Sequence, residues 1–176
     1  DVFVEIDSDT QMQLIKAFTD KELKAVISDM FIDDTVDIIE EMPANVVKRI
    51  LRHSDKETRQ SINQILKYPK DSAGSIMTIE FIDLKMDMTV EDAFTRIRRI
   101  AIDKETIYTC YVIDKNRKLI GLVSVKDLLL NDYSSTIEEI METNVIYVNT
   151  LDDKEEVAKK FSKYDFLALP VVDNEG

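Results

Sequence analysis

The chain has 176 residues, with 35 acidic against 23 basic side chains and a formal net charge of -12. This length suits one large domain or two small ones, and the acidic balance excludes nucleic acid as an expected partner, because phosphate binding needs clustered Lys and Arg. A single cysteine, Cys110, excludes an internal disulfide and favours a reducing compartment. The sequence contains no signal peptide and no apolar run long enough for a membrane helix, so we expect this stretch of chain to be soluble.

Residues 1–67 carry an apolar pattern with a period of 12 residues. Each repeat is an adjacent apolar pair: Leu14-Ile15, Val26-Ile27, Ile38-Ile39 and Ile50-Leu51. Most pairs are followed by an apolar residue one turn later, which predicts helices of about two turns. Polar breaks at Thr19-Asp20, Asp33-Asp34 and Ser54-Asp55, and the proline Pro43, would start the next helix. Because short helices are unstable alone, we predict an all-α superhelix of stacked short helices rather than one long helix.

A linker over residues 68–74 follows, because Pro69 and Gly74 with small polar residues between them end a helical array. The pattern then changes to alternating strands and helices. We predict strands over 81–84, 107–113 and 119–123, a helix from Thr89 to about Ile102, and a helix over 125–130. The strand over 107–113 is nearly all apolar, which is typical of a strand buried on both faces. A turn at Asp114–Arg117 separates it from the next strand.

This second part of the chain contains an internal repeat. Ile76-Met77-Thr78 and Val90-Glu91-Asp92-Ala93 return as Ile140-Met141-Glu142 and Lys154-Glu155-Glu156-Val157, at a constant offset of 64 residues. Residues 75–133 therefore form a β-α-β-β-α unit, and residues 134–176 form a second copy that reaches β-α-β. The predicted fold class is α+β in two domains, with an all-α superhelical N-domain followed by a pair of such units packed about a pseudo-twofold axis.

The paired units resemble a tandem of cystathionine-β-synthase (CBS) domains. The resemblance rests on the Ile-Met-Thr/Glu opening of each copy, on the apolar-apolar-Asp turns at Asp114 and Asp173, and on Gly121-x-x-Ser124-x-x-Asp127. The linker Tyr-Pro-x-Asp-Ser-Ala-Gly-x-Ile-Met-Thr, preceded by an acidic helical domain, is similar to the cytosolic part of bacterial MgtE-type magnesium channels. With the helical domain included, the resemblance covers nearly the whole chain.

The MgtE resemblance implies a homodimeric regulatory region on the cytoplasmic side of the cell membrane. In the full-length chain, a connecting helix and a membrane pore would follow. Mg2+ would bridge acidic faces of the helical and CBS domains and thereby close the pore. The resemblance implies no enzymatic activity, and the residues agree, because no serine or cysteine has a base partner nearby in sequence and there is no Cys/His metal cluster. We interpret His53 and Cys110 as structural residues.

Carboxylates are concentrated in one part of the helical domain. Between Lys24 and Lys48 there are six acidic residues and no basic one, and several are one helical turn apart, a spacing at which like charges destabilise a helix. Matching to the acidic positions of the family implies Asp33 and Asp37 as Mg2+ ligands. A solvated helix face would also explain this acidic pattern, so both interpretations stay open.

A second acidic cluster begins the helix of the second copy. There the family match implies Glu155 and Asp165 as Mg2+ ligands, with the carbonyl of Ser162 beside them. Acids at a helix N-terminus are also favoured by the helix dipole, which alone explains Asp152, Asp153, Glu155 and Glu156.

Ser124-x-x-Asp127 has two interpretations. It is a capping box, in which the serine binds the amide of the third helical residue and the acid binds back. In nucleotide-binding CBS pairs the same positions contact phosphate and ribose, so the resemblance also implies ATP as a second ligand, with Lys126 near a phosphate and Phe166 lining the pocket. An adenosine-nucleotide-sensing CBS module without metal sensing is therefore the alternative function, and a dimerisation scaffold without a ligand is the third.

Overall fold

The computed structural model describes residues 2–164 and 166–176, and the chain forms two compact units. The first unit runs to Pro69 and includes Met77–Ile79, and the second contains Lys70–Ile76 and Glu80–Gly176. Met77–Ile79 therefore belongs with the helices, although it follows the predicted linker. None of the helices in the described part of the chain is long and apolar enough to cross a membrane.

Over its described residues, the first unit consists of short helices joined by two-residue junctions. The helices are α1 (Ser8–Ala17), α2 (Asp20–Asp29), α3 (Ile32–Glu41), α4 (Ala44–His53) and α5 (Lys56–Ile65). Each has 10 residues, which is nearly three turns rather than the two expected, because the junctions use so little of the 12-residue period. Alternate helices pack together, α2 on α4 and α3 on α5, as expected for a superhelix of stacked helices.

The junctions show which helix starts were predicted correctly. Thr19 forms a capping box with Glu22, and Asp55 accepts a hydrogen bond from the amide of Thr58 at 2.9 Å. The predicted start at Asp33-Asp34 is wrong, because Phe31 is the N-cap and both aspartates lie in the first turn of α3. Ile32 is buried in the apolar core with only 8% of its surface exposed, and this burial favours a helix that begins one residue before the aspartates.

The first unit has one apolar core, to which every helix contributes. Its buried members are Ile15, Leu23, Ile27, Ile32, Val36, Ile38, Ile39, Met42, Val46, Ile50, Ile62 and Ile65. The guanidinium of Arg49 on α4 adds a polar connection, since Nη2 donates to the carbonyl of Phe18 at 2.5 Å and to Oδ1 of Asp20 at 3.0 Å. Arg49 thus satisfies a carbonyl at the C-terminal end of α1, which the helix itself leaves open.

The second unit contains both copies of the repeat. The first copy consists of β1 (Ile82–Leu84), α6 (Val90–Ile100), β2 (Thr109–Ile113), β3 (Leu119–Ser124) and α7 (Val125–Leu130). Its sheet has the order β1-β2-β3, with β1 parallel and β3 antiparallel to β2. The second copy follows with α8 (Ile137–Ile140), β4 (Val148–Asn149), α9 (Lys154–Tyr164) and β5 (Val171–Val172). β4 and β5 are parallel, so they are the equivalents of β1 and β2.

Strand β2 is shorter and less buried than its sequence predicts. It begins at Thr109. Cys110, Val112 and Ile113 are buried, whereas Thr109 and Tyr111 are half-buried. The prediction of burial on both faces is therefore met at Ile113 but not at Thr109 and Tyr111, which are only half-buried. On the half-buried face the rings of Tyr111 and Phe81 pack edge-to-face at a centroid distance of 5.6 Å.

Each copy has its own apolar core. The first is larger and includes Ile82, Leu84, Val90, Val112, Val123 and Ile137, whereas the second contains Ala73, Val148, Val157 and Leu169. Residues Ala73 and Ile137 precede the sheet of their own copy but are buried in the core of the other copy. The two copies therefore exchange their leading segments, a feature that links them over a long distance in sequence.

Candidate functional site

The exposed side of α3 carries the densest group of acidic side chains in the first unit. Its sequence from Ile32 to Glu41 contains no Lys or Arg, and its acids are Asp33, Asp34, Asp37, Glu40 and Glu41. The predicted ligands Asp33 and Asp37 lie one turn apart and therefore on the same face of the helix. The structure thus brings this pair together on one helix, as the sequence pattern indicates.

Two of these carboxylates are held in an environment that disfavours their charge. Burial raises the pKa of Asp34, and the charge of Asp33 raises it further. Partial withdrawal from water also raises the pKa of Asp37, with additional contributions from the neighbouring Asp33 and Glu40. A carboxylate whose pKa is raised by folding destabilises the folded state when it is ionised. Near neutral pH, α3 therefore concentrates negative charge at a cost in stability, which a bound cation would relieve.

The C-terminal end of α3 adds to this cost. Glu40 and Glu41 are exposed and lie in the last turn, where the helix dipole presents its partial negative charge. The helix has no basic residue in its last turn and no side-chain hydrogen bond at its N-cap. The helix dipole therefore favours acids at the first-turn positions Asp33 and Asp34, but it does not explain the acids that follow them.

The acids around the start of α9 have structural roles, in contrast to those of α3. Oδ1 of Asp153 accepts a hydrogen bond from the amide of Glu155 at 2.8 Å, and Oδ2 of Asp152 accepts one from the amide of Asn149 at 3.0 Å. Glu156 forms an ion pair with Lys159 at 2.6 Å. These contacts support the interpretation that most acids of this cluster stabilise the start of the helix.

The structure places the predicted metal ligands in different units. Asp33 and Asp37 lie in the first unit and Glu155, which is exposed, lies in the second, whereas Asp165 lies outside the described residues. Within residues 2–164 and 166–176, no group of three or more His, Cys, Asp or Glu side chains could hold a metal ion. Metal binding by these four residues therefore stays a prediction, and any site on α3 would need ligands or waters beyond this helix.

The predicted nucleotide residues do not form a single group. Ser124 and Asp127 form the capping box of α7, in which Oγ of Ser124 donates to Oδ2 of Asp127 at 2.5 Å and accepts from the Asp127 amide at 3.1 Å. Lys126 is exposed on the same helix. Phe166 packs against the core of the second copy, and its ring stacks on Tyr164 at a centroid distance of 5.3 Å. The capping interpretation accounts for Ser124 and Asp127, and nucleotide binding stays a prediction.

His53 and Cys110 have the structural roles that the sequence predicts. Nε2 of His53 lies 3.3 Å from Oδ1 of Asp20, beside the Arg49 guanidinium that binds the same carboxylate. Cys110 is fully buried in β2, and burial raises the pKa of its thiol to about 12. A thiol with so high a pKa is protonated at neutral pH and is a poor nucleophile.

The sequence places Asp34 in the acidic run but does not predict its partial burial. Asp34 was one member of a run of acids, and nothing in the run indicated that this carboxylate would be half-buried. The sequence signal is the stretch without Lys or Arg between Lys24 and Lys48, which predicts the total charge of the helix face but not the burial of one side chain. The partners of Asp20 were also missed, because Arg49 is 29 residues away in sequence.

Comparisons with known proteins agree with the two-part architecture. The family model for the MgtE intracellular N domain matches residues 1–71, and the CBS domain model matches residues 73–132 and 137–176. The crystal structure of the cytosolic domain of the Mg2+ channel MgtE in complex with ATP has a TM-score of 0.94 to this structure at 36% sequence identity. That match covers 99% of this chain and 72% of the other. The predicted fold class and the predicted resemblance are thereby confirmed.

Two magnesium transporters are close in sequence. Magnesium transporter MgtE of Thermus thermophilus is 40% identical over 149 residues, which are 82% of this chain and 33% of that protein. Magnesium transporter MgtE of Bacillus subtilis is 30% identical over 173 residues, which are 98% of this chain and 38% of that protein. The chain therefore spans about a third of the length of these relatives. It belongs to the MgtE family, through an MgtE intracellular N domain followed by CBS domains.

Proposed function

We propose that this chain is the magnesium-sensing cytosolic region of a magnesium transporter. In this proposal it lies on the cytoplasmic side of the membrane, acts as a homodimer, and regulates a membrane pore formed by the rest of the full-length chain. It binds ligands and transmits their effect, and it performs no enzymatic reaction. The names of the relatives support the transported ion, and the match to a cytosolic domain supports the location.

The observation that carries this proposal is the acidic face of α3, a helix that contains no Lys or Arg and in which the pKa values of Asp34 and Asp37 are raised. Suppose that this face meets a second acidic face at a separation of about 6 Å. Each pair of like charges then costs roughly 0.7 kcal/mol at the dielectric constant of water and roughly 2.8 kcal/mol at an effective value of 20. Four such pairs amount to about 3 to 11 kcal/mol, whereas inverting a two-state population from 1:99 to 99:1 needs about 5.5 kcal/mol. Neutralising the faces can therefore decide whether they dock.

Mg2+ has the chemistry that this role needs. It takes oxygen ligands in octahedral geometry, retains several of its waters, and is bound through one or two carboxylates rather than by a complete protein cage. Asp33 and Asp37 on one side, with Glu155 and Asp165 on the other, would supply such partial shells. In our proposal, bound Mg2+ bridges the helical and CBS domains and closes the attached pore, which would reduce Mg2+ entry when its internal concentration is high.

Isothermal titration of the purified chain with MgCl2 tests the metal binding. We expect binding at millimolar concentrations or below, and a loss of about tenfold or more in affinity for Asp33→Asn with Asp37→Asn, because two ligand charges are removed. The control is Asp9→Asn with Glu57→Gln, which removes two exposed acids from α1 and α5. Absence of Mg2+ binding by the wild-type chain, or equal loss in both double variants, would contradict the proposed role of α3.

The alternative function, adenosine-nucleotide sensing, is favoured by one specific finding. The MgtE cytosolic domain at 36% identity was crystallised in complex with ATP. A thermal shift with ATP but none with MgCl2 would select this function, and the absence of both shifts would select the dimerisation scaffold. Lys126→Ala and Phe166→Leu are the informative variants. Replacement of Ser124 would also remove the capping box of α7, so that a change in stability would obscure a change in binding.

A further inference from the structure

Residues 70–76, which we name the strap, bind the second copy rather than the first copy that follows them in sequence. The amides of Ala73 and Gly74 donate to the carbonyls of Asp152 and Thr150 at 2.7 and 2.8 Å. In return, the amide of Lys154 donates to the carbonyl of Asp71 at 2.8 Å. The residues on both sides of the strap, up to Pro69 and from Met77 to Ile79, belong to the helical unit. The chain therefore leaves the helical unit at Pro69, passes through the strap, and returns to the helical unit at Met77.

The second copy has an equivalent of the strap, residues 134–140, which we name the counterpart. It binds the first copy through the same three backbone hydrogen bonds, shifted by 64 residues: Ile137 to Met88 at 2.8 Å, Glu138 to Met86 at 3.0 Å, and Val90 to Ser135 at 2.9 Å. An isolated antiparallel β-bridge joins Ser72 to Asp153, and a second one joins Thr89 to Thr136 at positions shifted by the same 64 residues. The counterpart is therefore an internal reference for the strap, because the two segments share the same backbone hydrogen bonds and differ in their side chains.

The strap is anchored by a smaller apolar side chain than its counterpart. The anchoring residue is Ala73 in the strap and Ile137 in the counterpart, and each is almost completely buried. An isoleucine removes far more apolar surface from water than an alanine does, so the hydrophobic contribution to holding the strap is much smaller. The hydroxyl of Ser72 is also buried without a hydrogen-bond partner among the described residues, which opposes the closed position of the strap.

The strap has an ion pair that its counterpart lacks. Nζ of Lys154 lies 2.5 Å from Oδ1 of Asp71, whereas the equivalent positions in the other copy are Val90 and Ser135. Asp71 has a φ of 68°, in the left-handed region where Asp and Asn are enriched among non-glycine residues. Both charged side chains are about half exposed, so dissolved salt can screen their attraction.

We propose that the strap is a releasable latch on the second copy, and that the ion pair between Asp71 and Lys154 sets how often it opens. Residues 72–75 are all buried, but their side chains are small and only Ala73 belongs to the apolar core. Backbone hydrogen bonds and the exposed ion pair therefore hold most of the strap. A segment held in this way opens locally, without unfolding of the cores around it. Its release would free both points at which the chain enters and leaves the helical unit. The counterpart, with its buried isoleucine, stays closed under the same conditions. This latch is distinct from metal sensing and does not depend on it.

Amide hydrogen exchange measured by NMR on the 176-residue chain tests the latch. In the wild type, the amides of Ala73 and Gly74 should exchange faster than those of Ile137 and Glu138, and added KCl should accelerate only the first pair. Asp71→Asn removes the charge but keeps a residue that tolerates the left-handed conformation, and Lys154→Gln removes the opposite charge. Each variant should accelerate exchange at Ala73 and Gly74 by about two- to fivefold, the range expected for an exposed ion pair.

The matched control is Lys159→Gln, which breaks the ion pair with Glu156 on the same helix, away from the strap. It should leave the exchange of Ala73 and Gly74 unchanged. Equal acceleration in this control would reveal a general charge effect and would overturn the proposal. So would unchanged exchange in both Asp71→Asn and Lys154→Gln, or an equal acceleration of the β2 amides, since these report global unfolding.

Discussion

The carboxylates of the helical unit fall into two groups with opposite pKa shifts. The hydrogen bond from Arg49 lowers the pKa of Asp20, and the hydrogen bond from the Thr58 amide lowers that of Asp55, so ionisation of both supports the fold. On α3, burial and neighbouring charge raise the pKa of Asp34 and Asp37. The first group stabilises the helices and their junctions, whereas the second reduces stability near neutral pH. Such a difference between neighbouring acids is expected where charge is retained for binding.

Asp37→Asn should stabilise the helical unit at pH 7 by about 0.5 kcal/mol, since it removes repulsion from acids one turn away. Because the pKa of Asp37 is raised above 3.8 in the folded chain, its penalty is complete above the raised value and disappears as the pH falls through 3.8. The stability difference between variant and wild type should therefore shrink from pH 7 to pH 4. Urea unfolding at several pH values measures it, and a variant less stable than wild type at pH 7 would contradict this account.

Local contacts of single residues could be predicted from the sequence, and distant ones could not. The caps at Thr19, Asp55, Thr89 and Ser124 depend on a partner three residues later, which a sequence motif contains. Arg49 binds Asp20 across 29 residues of sequence, and no local pattern records that pairing. The burial of Asp34 belongs to the same class, because it depends on tertiary packing.

At the scale of helices and strands, periodicity predicted the type of each long element and gave less information about its ends. The 12-residue period indicated the stacked helices, but the start of α3 was misplaced because burial of Ile32 prevailed over the capping tendency of the aspartates. The short helix α8 and the exchange of leading segments were not predicted. Both depend on hydrogen bonds such as that from Ile137 to Met88, which join segments about 50 residues apart.

Gly121 on β3 lies so close to Met141 and Glu142 that an added side chain would have to displace them. A Cβ at Gly121 would lie 2.8 Å from Sδ of Met141 and 3.1 Å from the carbonyl oxygen of Glu142. That carbonyl accepts the hydrogen bond from the Leu122 amide at 3.0 Å and cannot move freely. We expect Gly121→Ala to destabilise the CBS pair by about 1 to 3 kcal/mol, the usual effect of overpacking.

A double-mutant cycle with Met141→Ala separates this contact from a general effect of alanine in a strand. Removal of the methionine side chain makes room for the new methyl group, so the two substitutions should be coupled and the double variant should be more stable than the sum of the single effects. Thermal unfolding followed by circular dichroism measures all four chains. Strictly additive effects would show that Met141 does not limit this position.

At the scale of the whole molecule, the repeat in the sequence predicted both the number of α/β copies and their order. It did not predict the small size of the second sheet, in which β4 and β5 have two residues each within the described part of the chain. The candidate metal site was predicted only as charge on separate elements. Its completion depends on contacts between elements and between units, and a linear pattern does not contain these.

Each unit has a feature that does not maximise its own stability. The helical unit has the base-free acidic face of α3, and the CBS pair has a strap with a weak apolar anchor and an exposed ion pair. We interpret both as elements of a molecule that changes its arrangement, since repulsion between like charges destabilises the acidic face and dissolved salt weakens the ion pair of the strap. The acidic face would respond to a divalent cation, and the strap would open and close on the second copy.

In our proposal, Mg2+ neutralises the acidic face of α3 and thereby allows the helical and CBS domains to dock. Small-angle X-ray scattering of the chain, with and without MgCl2 and at a constant ionic strength set with KCl, tests it most directly. We predict a smaller radius of gyration when Mg2+ is present, and a chain with Asp33→Asn and Asp37→Asn that is already compact without the ion and responds little to it. A wild-type radius of gyration that does not change with Mg2+, or a double variant that still responds fully, would contradict the claim.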